Sequence, residues 1–137
     1  MLSQALLELE QDMDAVPRGP GGDPIAFNLQ GEPITTREAI ELAEDLDRCT
    51  LVWTPIRLPS GRPAVVRTVF QVFDDEASRG PVPEGHVPQL YASVLYTAGP
   101  EPRFVKRLWT YGSEAEARSG HPEATAEFQS GRVHVDL

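Results

Sequence analysis

Leu2, Leu6, Leu9, Met13 and Val16 recur at alternating steps of four and three, a spacing that lays one apolar stripe along a helix over residues 2–15. Glu8 with Asp12, and Glu10 with Asp14, are like-charge i,i+4 pairs that weaken an isolated helix. The stripe therefore needs something to cover it: the chain's own sheet or, as the alternative, a partner or a second copy in a homodimer. Pro17–Pro24 is a breaker-rich loop, and residues 25–34 suggest a short hairpin turning at Gly31. Thr35 and Glu38 have capping-box spacing. They open a helix expected over 36–48, with Ile40, Ala43 and Leu46 inward and Glu41, Glu44, Asp45 and Asp47 outward.

The pattern then changes period. Thr50–Leu58 and Pro63–Phe73 are rich in β-branched and aromatic residues and flank the turn sequence Pro59-Ser60-Gly61-Arg62. Gln89–Thr97 and Arg103–Tyr111 form a second strand pair, joined across residues 98–102. Between the pairs, residues 74–88 show no periodicity. Ser113 and Glu116 match another capping box, expected to open a short helix to about Gly120. His121-Pro122 is expected to interrupt it, with a second short helix running through Phe128. Val133–Val135 reads as an edge strand or a frayed tail. The predicted fold is α+β, an antiparallel sheet of four to five strands with helices packed on one face. One domain over 1–137 is expected: an acidic helical part at 1–48, a β-rich part at 49–111 and short helices at 113–128.

Composition narrows the function. Hydrophobic residues at 40% and charged residues at 24% describe a foldable chain. No apolar run approaches the roughly 20 residues of a membrane span, so no membrane partner is expected. Glu8 and Glu10, without Lys or Arg in the first ten residues, do not resemble a secretory leader. The single cysteine, Cys49, excludes an internal disulfide and points to a reducing, cytoplasmic setting. Net charge is -9. Residues 1–48 hold eleven of the acids against three arginines, so nearly all the excess lies in the first third. A negative chain of this kind repels phosphate backbones, and direct nucleic-acid binding is not expected.

Catalytic and metal patterns are absent. His86, His121 and His134 fall in unrelated segments with no i,i+4 partner, and no cofactor or metal is expected. Cys49 reads as a small buried apolar residue at a helix end. Asp74-Asp75-Glu76 lacks the alternation of a calcium loop. By strict alternation Arg103, Val105, Arg107, Trp109 and Tyr111 share one face of the last strand. If Arg67, Gln71 and Tyr91 join them, the sheet presents a basic, aromatic platform.

Several stretches together carry a family likeness. Thr68-Val69-Phe70 precedes a long loop and the apolar strand Leu90–Tyr96. Arg107-Leu108-Trp109-Thr110-Tyr111 then runs into Ser113-Glu114-Ala115-Glu116-Ala117 and Gly120-His121. Over roughly residues 64–121 this resembles small proteins of actinobacterial phages and prophages. Two departures stand out. Gln71-Val72-Phe73 replaces that family's small residue and acidic–histidine turn, and Tyr91-Ala92-Ser93-Val94 lacks its Glu-Thr-Met. The resemblance implies a phage-borne accessory protein and supplies no catalytic residues.

The leading expectation is therefore a non-enzymatic accessory protein that binds and modulates a host or virion protein, with a basic partner among those the acidic charge admits. Its contacts would be Glu8, Asp12, Glu41, Glu44 and Asp45 on the acidic helices. The first alternative is a module that sequesters an anionic, nucleotide-like small molecule through Arg67, Tyr91, Arg107 and Trp109. The second is a structural protein of the virion.

Overall fold

The computed structural model describes residues 12–137. Of the helix expected over 2–15, residues 2–11 lie outside the described residues; Asp12 and Met13 are helical, and Asp14 and Ala15 are already turn and bend. In chain order the elements are α1 (Thr36–Glu44), α2 (Leu46–Cys49), β1 (Thr50–Arg57), β2 (Pro63–Phe70), α3 (Asp75–Arg79), β3 (Tyr91–Thr97), β4 (Phe104–Tyr111) and α4 (Glu114–Ser130). They fall into two compact units that interleave in sequence. One combines the chain up to Leu46 with Gln71–Leu90; the other combines Asp47–Phe70 with Tyr91–Leu137.

The second unit holds the sheet, a four-stranded antiparallel meander in the order β1-β2-β3-β4. With helices beside it the chain is α+β, and the strand count is four. The β1–β2 turn closes through Leu58 N–H to Arg62 O at 2.9 Å and Gly61 N–H to Leu58 O at 2.8 Å. Gly61 sits at φ +88, a region that only a residue without Cβ enters cheaply. Both sheet edges are blunted against further pairing. Pro55 interrupts the donors of β1, while β4 carries two bulges and Lys106.

One side of the sheet is sealed by α4. Ala117, His121, Ala124, Thr125 and Phe128 are its buried residues, spaced as one helical stripe. Phe128 packs into a core of Ile56, Leu58, Ala64, Val66 and Leu95. The helix is continuous, where two short helices were expected. Pro122 removes one backbone donor and disfavours a helical residue before it. Burial of the stripe on both sides of the proline outweighs that cost. Ser113 caps the start, accepting from Glu116 N–H, and Gly131 in the left-handed region ends the helix.

Beneath α4 runs a buried polar chain. The His121 ring meets the Thr54 hydroxyl through Nε2 at 2.8 Å and the Thr68 hydroxyl through Nδ1 at 2.7 Å. Thr68 continues to Ser93 at 2.7 Å, and Ser93 to the Tyr111 phenol at 3.0 Å. A neutral imidazole needs one donor and one acceptor, and hydroxyls serve as either. Burial pushes the His121 pKa down, in keeping with a neutral ring. Gly120 lets the Tyr111 ring lie against the helix, since a Cβ there would come within 2.5 Å of it.

The other unit contains α1 and α3. The Thr35–Glu38 capping box forms as spaced. The helix stops at Glu44 and a separate turn, α2, follows Asp45, so the expected single helix over 36–48 is divided. Its inward positions are Ala39 and Leu42, one residue earlier than expected. Ile40 is 39% exposed and Ala43 is exposed as well. Such a one-residue shift turns the helix by about 100°, which periodicity in a short helix with two apolar options does not resolve. Residues 25–34 do turn at Gly31, with Asn28 N–H bonded to Glu32 O at 2.9 Å, but form isolated bridges instead of strands.

β2 ends at Phe70, three residues before the expected limit. There Phe73 N–H reaches Gln71 O at 2.7 Å across Val72, which has φ +68. This is a strained tight turn for a β-branched residue. It is held by full burial of Val72 and by Phe27 N–H donating to Val72 O at 3.0 Å. The segment 74–88 then contains α3, capped by Asp74.

Candidate binding face

Residues directly opposite each other in an antiparallel ladder share a face. Thr54, Thr68 and Ser93 face α4, so the neighbouring row Trp53, Arg67, Val94 and Arg107 lies on the opposite side of the sheet. The next row on that side is Pro55, Val65, Tyr96 and Phe104. These two rows form an open aromatic and basic surface. Trp53 is 58% and Phe104 63% exposed. Tyr96 and Phe104 meet edge to face at 6.3 Å, and the Arg67 guanidinium lies 6.0 Å from the centre of the Tyr96 ring. Burial pushes the Tyr96 pKa up, with Arg67 pulling it down and Cys49 adding a smaller upward push, so the phenol stays neutral.

Arg67 is the centre of this surface. Its Nη1 donates to the Thr50 hydroxyl at 3.2 Å and stands 3.7 Å from the Asp47 carboxylate. Its Nε is buried and has no acceptor among the described residues. The Arg67 side chain is largely buried, 16% exposed, while its carboxylate neighbour Asp47 is 96% exposed, so the ion pair lies at the surface end of the guanidinium. Local charge there favours an anion. Residues 50–70 and 91–111 hold six bases (Arg57, Arg62, Arg67, Arg103, Lys106, Arg107) against the single acid Glu101. The excess of acid belongs to the other unit, whose sequence holds fourteen acids and three arginines.

The four platform residues read from alternation are divided between the two sides. Arg67 and Arg107 are on the open side. Tyr91 pairs with Tyr111 and Trp109 with Ser93, which places both on the α4 side. For Trp109 the cause is the β4 bulge at Leu108, and a second at Val105 brings Phe104 to the open side, both extra residues packing against the core. Tyr91 is three residues from Val94 on the evenly paired β3 and so faces away from it. Each bulge reverses the inside–outside alternation beyond it. The platform's aromatics are instead Trp53, Tyr96 and Phe104. Of the acidic candidates, Glu8 lies outside the described residues, and Asp12, Glu41, Glu44 and Asp45 are exposed.

A second concavity lies in the acidic unit, a cleft of about 330 Å³ lined by Asp23, Phe27, Asp74, Val82, Glu84 and His86 among others. His86 Nε2–H donates to the buried Asp74 carboxylate at 2.7 Å, and Nδ1 lies 3.5 Å from Glu76. The cleft lining contains no hydroxyl or thiol nucleophile. Among the described residues no group of three or more His, Cys, Asp or Glu is placed to hold a metal ion. The Asp74–His86 bond ties the loop back onto the α3 cap. No described helix is long and apolar enough to cross a membrane.

No family model, curated protein or solved structure matches the chain.

Proposed function

We propose that this protein is a non-catalytic binding module whose open sheet side takes a flat, anionic ligand of the nucleotide kind. The observation that carries this reading is the exposure of Trp53 and Phe104 on the same side of the sheet as Arg67. Exposed rings offer stacking surfaces to a base, and a guanidinium among them offers charge-assisted bonds to phosphate. Titrating ADP by calorimetry should give binding that weakens in Trp53→Ala and Arg67→Ala and persists in Trp109→Phe, whose ring is on the α4 side. Equal binding by all four proteins, or none by wild type at millimolar ADP, would remove the reading.

A second reading rests on Ile40, an apolar side chain exposed on α1 beside Glu41 and Glu44. An apolar contact flanked by carboxylates suits a basic protein partner. Reversing Glu41, Glu44 and Asp45 to lysine should then release a partner that wild type retains, while leaving ADP binding unchanged. Retention by the reversed protein counts against it.

A further inference from the structure

Resting on the sheet-face reading, we infer that the ligand is a single-stranded nucleic acid that spans the sheet, with one base on Trp53 and another on the Tyr96–Phe104 pair. Trp53 is on β1 and Phe104 on β4, the two edge strands. Strands lie about 4.8 Å apart and each residue rises about 3.4 Å, so Trp53 and Phe104, three strand spacings and one row of two residues apart, are separated by roughly 16 Å. One base covers only one of them. A ligand that uses both must carry two rings on a common backbone.

What lies between the rings fits that backbone. Arg67 sits beside Trp53 in its row and over Tyr96 in the next. Arg107 occupies the same row on β4, with the buried Val94 between them. The sugar–phosphate chain would cross this apolar floor with oxyanions at the arginines. The Asp47 carboxylate, 3.7 Å from Arg67 Nη1, marks where an oxyanion is received and competes for that seat. The negative charge of the whole chain does not forbid this. At about 0.1 M salt, charges more than roughly 10 Å from the platform are largely screened, and the sheet's own segments are basic.

Fluorescence anisotropy with the full chain tests the inference, using AMP competition, (dT)2, (dT)4, (dT)8 and the matching oligouridylates. Affinity should rise about 5- to 150-fold from mononucleotide to tetranucleotide as the second base stacks, then level off. A log–log salt slope of about -1.4 is expected for two phosphates. Trp53→Ala and Phe104→Ala should each reduce the oligonucleotide to near mononucleotide affinity, and Asp47→Asn should tighten binding by up to about fivefold. Equal affinity for AMP and the tetranucleotide overturns the strand-spanning inference and leaves the nucleotide reading standing. No binding by either overturns both. A concentration-dependent dimer that Phe104→Ala abolishes would show that a second copy covers the face, and would also overturn it. Circular dichroism of both variants separates lost binding from lost fold.

Discussion

Truncating Phe128 to alanine should lower the stability of the sheet unit by about 3–5 kcal/mol, the range for a fully buried aromatic that leaves a cavity. Phe128 is 1% exposed and fills the space between α4 and Ile56, Leu58, Ala64, Val66 and Leu95. β1, β2, β3 and the helix all meet at this side chain, so no single element can relax to fill the hole. Trp53 and Trp109 both belong to this unit, so tryptophan emission during urea unfolding reads it selectively. The midpoint should fall sharply with little change in slope. A loss under about 1 kcal/mol would mean that α4 does not seal the sheet in solution.

The second large effect is an acid-side loss of stability from His121. Its ring is buried, both nitrogens are bonded to hydroxyls, and burial holds its pKa below the ordinary value. In the unfolded chain histidine titrates near about 6.5. Above that pH neither state binds the proton and the full stability is present. As pH falls below about 6.5 the unfolded chain takes up the proton first, so stability declines until the folded pKa is also passed. The slope for one proton is at most about 1.4 kcal/mol per pH unit. Urea midpoints read by tryptophan emission should be flat from pH 8 to 7 and fall between pH 6.5 and 5. Replacing His121 by glutamine should lower the plateau, because the hydroxyl chain is disturbed, and flatten the decline. An unchanged slope in that variant would assign the acid sensitivity elsewhere.

Much of the fold is legible in residue order because it rests on local rules. Gly61 after Pro59-Ser60, the Thr35–Glu38 box and the alternation of Pro63–Phe70 are decided within a few residues. The platform is harder to read, because period-two counting along β4 assumes an unbroken ladder. Val105 and Leu108 enter the core as bulged residues, a choice fixed by packing against residues far away in sequence. The same count therefore nominates Trp109, which faces α4, and passes over Phe104. Tyr91 joins it only across strands whose register residue order does not give, and there Tyr96 is the residue on the open side. Trp53 lies on a strand whose pairing partner decides its side. Only the register Trp53–Arg67 brings the ring and the guanidinium together. The helix over 114–130 is misjudged for a related reason: Pro122 is a local signal, and a buried stripe on either side overrides it.

The ladder also shows what residues 71–90 are to the sheet. Phe70 and Tyr91 are register partners, so the chain leaves β2 and rejoins β3 at neighbouring positions, as it would across an ordinary tight hairpin. The twenty intervening residues form a detour from that hairpin, and the γ-turn at Val72 is its first corner. The rungs from Ala64–Thr97 to Phe70–Tyr91 are made by residues outside the detour, and its two ends are joined by Gln71 N–H to Leu90 O at 2.7 Å. The register that aligns the platform's rows is thus written entirely in strand residues, and none of the twenty detour residues contributes a partner to it.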